Sequence, residues 1–364
     1  MFSKSPAIVS LFLVSVLLLT GLLGVLVFCA LLMAERSGVV LDSSKKHGIS
    51  HARLSRLGGV AIFVSLIVYI LIAQGLDEEL STYIRSLQSE QIAGYAFLAL
   101  VVSLIGLADD LNEGLSPGFR MLLLSGIVLF ALSLNQEWLP VKLFHHDLGL
   151  ANLPMFVIVP VTSFVLIGFI NAGNMIDGAN GLLSGVSLMW FIVLFDLQGS
   201  YYFFLLALAL LAFTLHNLFF SSVILGDFGS FGLSSLIILS SFQVFEANVV
   251  SIWFFSAILS YPCFEIVRVI LIRLKQGRSP FIADNQHLHN SLFRFLLTKR
   301  LNPEAANSLT GAGLAFISSL TPFSLYFFGA PLKDDTLWLI VSLAQYVVLA
   351  CLWLALRNIR DLQH

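Results

Sequence analysis

Runs of about 20 apolar residues recur through this chain, each long enough to cross the hydrocarbon core of a bilayer as a helix. In hydrocarbon every backbone N–H and C=O must be satisfied within the chain, which leaves helices as the spanning form for runs of this length. The predicted fold is an all-α polytopic membrane protein. Its spans fall near 7–34, 58–75, 91–107, 119–134, 153–170, 182–197, 201–220, 231–245, 249–272, 311–328 and 336–356, about eleven in all. Composition agrees, with 58% hydrophobic and 11% charged residues, against about 25% charged in soluble domains. The first run, Pro6 to Ala34, is too long for the roughly 7–15-residue apolar part of a signal peptide and reads as a retained span. Cys29, Cys263 and Cys351 lie in apolar runs and predict no disulfide or redox role.

Lys and Arg are retained on the cytoplasmic side of a membrane. With these spans, 15 of the 19 basic residues fall on one side, and only Lys4, Arg85, Lys142 and Lys333 on the other. This predicts a periplasmic N-terminus and a cytoplasmic C-terminus. No long linker or internal repeat divides the chain, so residues 1–364 read as one integral-membrane domain, with its motifs between about 42 and 290.

Five polar islands interrupt the apolar runs: KKHGISHARLSRLGG near residue 50, GLADDLNEG at 106, NAGNMIDGANGL at 171, ILGDFGS at 224 and ADNQHLHN at 283. On this topology all five face the cytoplasm. Carboxylates, histidines, asparagines and glycines gathered at one membrane face suit a metal-dependent enzyme acting on a lipid-borne phosphate. Net charge, at −2, is uninformative beside this distribution.

Asp109 and Asp110 sit where the third span meets water. Adjacent helical residues point about 100° apart, so a regular helix would aim these carboxylates at different points, whereas a fraying end would let both approach one ligand. Alone, such a pair is equally a helix end meeting solvent. Asp177 and Asp227, each beside glycine at other cytoplasmic helix ends, shift the balance toward function. Hard oxygen donors in a phosphate context point to Mg²⁺, which takes one or two carboxylates and completes its shell with phosphate and water. Asn171, Asn174, Asp177 and Asn180, interleaved with glycines, could bond a base edge and ribose hydroxyls, or could cap the next helix. Gly226 to Ser230 reads as a helix N-cap, a place that also attracts phosphate. His287 and His289 stand two apart, which excludes the i, i+4 zinc pattern and favours hydrogen bonding to phosphate. His145, His146 and Asp147 fall on the opposite face and read as a solvated loop. Of Lys45, Lys46, Arg53 and Arg56, one or two are expected to contact substrate and the rest to set topology.

Taken in order and spacing, the islands resemble the polyprenyl-phosphate N-acetylhexosamine-1-phosphate transferase family, which includes bacterial enzymes starting peptidoglycan, enterobacterial common antigen, O-antigen and teichoic-acid linkage synthesis. The resemblance runs from about Asp42 to Asn290. It rests on Lys45-Lys46-His47 followed by Arg56-Leu57-Gly58-Gly59, on Asp109-Asp110, and on Asn171, Asn174 and Asp177-Gly178. Gly226-Asp227 with Gly229-Ser230, Asn217 ten residues earlier, and His287-Leu288-His289 complete it.

That resemblance implies transfer of a sugar-1-phosphate from a UDP-N-acetylhexosamine to undecaprenyl phosphate in the bacterial inner membrane, releasing UMP at the cytoplasmic face. It implies Mg²⁺ as cofactor, membrane lipid as partner and no nucleic acid, and it leaves a homodimer open. It casts Asp227 as the principal Mg²⁺ ligand, with Asp109 and Asp110 at the acceptor phosphate and Asp110 sharing the metal. Asn174, Asp177, Gly178, Asn180 and Asn217 would form the nucleotide pocket, and His287, His289 and Lys46 would contact the diphosphate or sugar. The chain departs from the pattern at several points. Asn180 stands where a second Asp is usual, Ile224 where a Phe stacks on uracil, Asn290 where a final His ends the motif, and Ser55 and Ser221 where prolines are usual. A lost aromatic face removes about 0.5–1.5 kcal/mol, so these departures bear on nucleotide contacts more than on the reaction. Two other readings are an inactive homologue acting as a scaffold, which would shed its carboxylates, and a transporter, which would place polar groups near the bilayer midplane.

Overall fold

The computed structural model describes residues 6–40, 54–76, 90–111, 115–142, 153–277 and 287–361. Its helices are α1 (Pro6–Ser37), α2 (Gly58–Leu76), α3 (Glu90–Leu111), α4 (Pro117–Leu134), α5 (Met155–Ile176), α6 (Leu182–Gln198), α7 (Tyr201–Phe220) and α8 (Gly226–Glu246), then α9 (Ile252–Ile258), α10 (Ser260–Lys275), α11 (Leu288–Thr298), α12 (Pro303–Ala315), α13 (Thr321–Phe327) and α14 (Asp335–Asp361). Among the described residues no named strand occurs, only an isolated parallel bridge between Ser55 and Val223. Each of the eleven apolar runs is mostly helical over its described residues. Among the described residues eight helical segments are long and apolar enough to cross a membrane, or nine if the bent pair α9–α10 is one span. The apolar stretches of α2 and α6 are shorter.

α8 is the hub of the bundle, buried along nearly its whole length between α3 and α5. Small residues permit the approach: a Cβ on Gly173 of α5 would lie 1.8 Å from Ser234 Oγ of α8. Outward faces carry large apolar side chains such as Phe130, Phe156, Phe164 and Val347, as a surface solvated by lipid tails requires.

Several boundaries differ from the sequence reading. α5 runs six residues beyond its expected end, so Asn171 and Asn174 project from a helix and not from a turn. α8 begins at Gly226, which places Asp227 in its first turn. α1 is kinked at Gly21, where φ is 63°. The expected single span 249–272 is two helices meeting at 82°. In an unbroken helix the carbonyl of Ile258 would accept from residue 262, but that residue is proline and has no N–H. Ile258 instead accepts from Ser319 Oγ at 2.7 Å, and Ser318 Oγ accepts from the Tyr261 amide at 3.0 Å. Both serines lie in a π-helical turn, Phe316–Leu320, that joins α12 to α13. The break thus finds its polar partners in another helix, the condition for irregular backbone at membrane depth.

Candidate active site

One end of the bundle collects the described parts of the islands, and a backbone ladder begins the assembly. Ser55 N–H donates to Ser222 O at 3.2 Å, Ile224 N–H to Ser55 O at 2.9 Å, and Gly58 N–H to Ile224 O at 2.9 Å. These bonds clamp the segment before α2 against the segment before α8. At their end Gly226 has φ +72°, and a Cβ there would lie 2.1 Å from the Arg56 carbonyl oxygen, so only glycine fits.

Asp109 and Asp110 both lie inside α3, which stays helical to Leu111, and they diverge as the helical angle demands. Asp109 accepts from Arg120 Nη1 at 2.7 Å and from the Leu115 amide. Asp110 accepts from Arg56 Nη1 at 3.2 Å and from the Phe228 amide at 3.2 Å. Asp227 places Oδ2 at 3.7 Å from the same Arg120 nitrogen, and its side chain is in hydrogen-bonding contact with that of Asp109. Two carboxylates in hydrogen-bonding contact hold a proton between them, and Arg120 places a positive charge beside both. Asp177 caps the end of α5, half-buried, and accepts from the Gly226 amide. Burial and the nearby charge of Asp110 hold its carboxyl well above the usual carboxylate range. Asn174 accepts from Ser230 Oγ at 3.0 Å.

The two histidines form a second layer. Their rings are parallel within 4° and 5.2 Å apart, and each Nδ1 is tied from behind. His287 Nδ1 bonds Glu265 Oε1 at 3.0 Å, and His289 Nδ1 bonds the Tyr261 hydroxyl at 3.2 Å. His289 Nε2 faces Gly178, next to Asp177: a Cβ on that glycine would lie 2.7 Å from it. Burial, then the neighbouring His287, lower the His289 pKa to about 3, so its imidazole stays neutral at physiological pH. Glu265 is fully buried and accepts two bonds from Arg268, at 2.6 and 3.0 Å, and one from the Leu288 amide at 3.2 Å.

Not every expected residue joins this cluster. Asn180 and Asn217 form a buried knot beside it. Asn180 Nδ2 donates to Ser221 Oγ at 2.7 Å and its backbone N–H donates to Asn307 Oδ1 at 3.1 Å. Asn217 accepts from the Gly181 amide at 2.6 Å and donates to Val223 O at 2.7 Å. These two residues hold the turn after α5 against the end of α7. Lys46 lies outside the described residues, as do His145, His146 and Asp147. Two departures from the family pattern acquire reasons here. Ser55 donates through an N–H that proline lacks, and Ser221 has φ 53°, which proline cannot adopt.

Arg120, Glu265, Tyr261 and Arg268 were not read as site residues from the sequence. In the sequence Arg120 and Arg268 signal only the cytoplasmic charge bias. Glu265 had a visible signal, a carboxylate inside an apolar run with arginine three residues on.

Among the described residues no three His, Cys, Asp or Glu side chains converge on one metal position. A Mg²⁺ ion needs only one or two carboxylates when phosphate and water supply the rest. Asp109 and Asp227, already sharing a cation, are such a pair, so the donor set fits the ion. Side-chain contact with Asp227 makes Asp109 the nearer geometric partner to it.

A glycosyl transferase family 4 model matches residues 92–245. The matched stretch is less than half of the chain. It holds Asp109, Asp110, Arg120, Asn174, Asp177, Asn217 and Asp227, while Glu265, His287 and His289 lie beyond it. The chain is similar to proteins named undecaprenyl-phosphate alpha-N-acetylglucosaminyl 1-phosphate transferase. Identity is 31% over 181 residues to the one from Escherichia coli strain K12, covering 45% of this chain and 48% of the relative. For the Thermotoga maritima protein it is 32% over 128 residues, covering 35% and 40%. For the Salmonella typhi protein it is 32% over 171 residues, covering 42% and 47%. The chain thus spans about half the length of the curated relatives it matches.

Proposed function

We propose that this protein transfers an N-acetylhexosamine-1-phosphate from a UDP-sugar to undecaprenyl phosphate, on the cytoplasmic face of the bacterial inner membrane, and so starts a cell-surface polysaccharide. The observation that carries the reading is the convergence of Asp109 and Asp227 on Arg120, beside the Arg56–Asp110 pair, at one end of an apolar bundle. Eleven crossings with a periplasmic N-terminus would put that end in the cytoplasm, in line with the distribution of lysine and arginine. In the reaction an oxygen of the lipid phosphate bonds to the sugar-proximal phosphorus of the donor, the diphosphate P–O bond breaks, and UMP leaves with its electrons. Mg²⁺, when held by Asp227 and Asp109, would offset charge on the diphosphate and on departing UMP.

The residues of the chain supply positioning. Arg56 and Arg120, paired here with Asp110 and with Asp109 and Asp227, would turn guanidinium edges to phosphate oxygens of the substrates. His289, neutral and braced by Tyr261, offers Nε2 toward Gly178 without adding charge. A lipid phosphate with a second pKa near 6 is largely dianionic at neutral pH, so Asp109 need not remove a proton from it. The test is incubation of the protein in nanodiscs with undecaprenyl phosphate, Mg²⁺ and a panel of labelled UDP-N-acetylhexosamines. Transfer of label to lipid, abolished by EDTA and lowered by orders of magnitude in Asp227→Asn, is expected. No transfer with any UDP-sugar would overturn the reading.

A further inference from the structure

Tyr261 and Glu265 stand four residues apart on one face of α10, about 6 Å along the helix axis. The histidine rings they meet are parallel and 5.2 Å apart, so the two pairs are in register, Glu265 against His287 and Tyr261 against His289. The bracing groups differ in kind. Glu265, held as a carboxylate by two bonds from Arg268, can only accept, so His287 Nδ1 donates to it. A tyrosine hydroxyl can donate or accept, and its surroundings decide which.

The Tyr261 hydroxyl already accepts from the His289 amide at 3.1 Å. If His289 Nδ1 also carried a hydrogen, the phenol oxygen would accept twice and its own O–H would need another acceptor. Among the described residues there is none, and Tyr261 is 0% exposed. An unmade bond on a buried hydroxyl is the costlier arrangement. The hydroxyl therefore donates to Nδ1 at 3.2 Å and leaves that nitrogen bare of hydrogen. Burial keeps the imidazole neutral, so its one hydrogen sits on Nε2. Among the described residues none accepts from Nε2, which faces the space left by the missing side chain of Gly178. The phenol is itself pinned. Tyr261 lies in the first turn after the 82° break, and its amide donates to Ser318 Oγ at 3.0 Å.

We propose that Tyr261 is a positioning residue that fixes His289 as the Nε2–H tautomer, so that a neutral ring donates a hydrogen bond to a phosphate oxygen of the UDP-sugar beside Gly178. With the hydrogen on Nδ1, the Nε2 lone pair would face that oxygen and repel it. The phosphate partner rests on the functional reading above, whereas the place of the hydrogen does not.

The test uses the full chain in nanodiscs with heavy nitrogen in its histidine rings. Long-range proton–nitrogen spectra tell a hydrogen-bearing ring nitrogen from a bare one, and loss of a signal in His289→Gln identifies the ring. Wild-type His289 should show Nε2–H and a bare Nδ1, with His287 carrying its hydrogen on Nδ1. Hydrogen on His289 Nδ1 would overturn the proposal without recourse to any variant's activity. Inorganic pyrophosphate with Mg²⁺ should move the Nε2–H resonance downfield; a resonance unmoved by pyrophosphate and by UDP-sugars alike would overturn the donated bond. Tyr261→Phe should lower kcat/KM for transfer about tenfold, the weight of one bond to a charged acceptor. In the His289→Gln background, where the side chain has no tautomer to fix, the same change should cost no more than about twofold. Equal losses in both backgrounds would mean that the hydroxyl serves the fold alone and would sink the positioning role. Absence of transfer with every UDP-sugar, with Nε2–H in place and moved by pyrophosphate, would sink only the functional reading.

Discussion

Glu265→Gln tests whether the histidine layer is built or incidental. The carboxylate is fully buried, Arg268 is only 5% exposed, and its four hydrogen bonds leave no room for an amide NH₂. Whichever way the glutamine is turned, one N–H must face another: Arg268 Nε, or the shared edge of Arg268 Nη2, His287 and the Leu288 amide. The arginine charge, otherwise stacked 5.7 Å from the Trp353 ring on α14, loses its counter-ion. Breaking one side of a buried pair costs about 3–5 kcal/mol, so a clear fall in melting temperature in detergent is expected. Separately, His287 loses a charge-assisted bond worth about 1.5–3 kcal/mol, which predicts a roughly 10- to 150-fold loss in kcat/KM for sugar-phosphate transfer. Glu265→Leu combined with Arg268→Leu separates the two effects. Removing both charges should recover most of the stability, while transfer stays low because His287 remains untethered. An unchanged melting curve and unchanged kcat/KM in Glu265→Gln, or full transfer in the double variant, would refute this reasoning.

Two further outcomes follow from ionisation at the site. Asp177 has a raised pKa, so the folded state holds its proton more tightly than the unfolded state. Its contribution to stability is full below the unfolded carboxylate pKa of about 3.9 and is lost as pH rises through the folded value. Asp177→Asn should therefore melt higher than wild type at neutral pH, with the gap closing on acidification; an equal gap at every pH would count against the burial argument. His289 titrates in the opposite sense, at about 3 when folded against about 6.5 unfolded. Melting temperature should fall as pH drops through that window, and His289→Gln should flatten the fall.

Much of the architecture was legible because apolar run length and chain-wide charge placement are local properties. The apolar runs are helical for most of their length, with 249–272 broken in two, and the carboxylates at 109, 110, 177 and 227 lie at one end of the bundle. What escaped involves pairs far apart in sequence. Pro262 is visible, yet the break it occasions is stabilised by Ser318 and Ser319, nearly sixty residues on. Arg120 reads as a topological charge until Asp227 is brought across to it. Asn180 and Asn217 are the instructive cases: the family resemblance implies a nucleotide pocket for both, and in the structure their amides bond each other, Ser221 and backbone. An Asn-rich sequence cannot reveal which of its hydrogen bonds face inward.

Asn180 also decides how the departures from the family pattern should be read. Its Nδ2 donates to Ser221 Oγ and Ser308 Oγ, and the Ser221 backbone at φ 53° excludes a proline there. The two unusual residues are thus donor and acceptor of one bond, a matched exchange and not two independent losses. If an acid were needed at 180, Asn180→Asp should raise transfer. The knot predicts the reverse: the variant puts a carboxylate into a site only 2% exposed with no cation among its partners there, and it removes the amide donors. An unsatisfied buried group costs about 1–3 kcal/mol and a charged one more, so melting temperature should fall and transfer should not improve. Transfer rising several-fold at unchanged melting temperature would show that 180 touches nucleotide and that the natural chain is the impaired form.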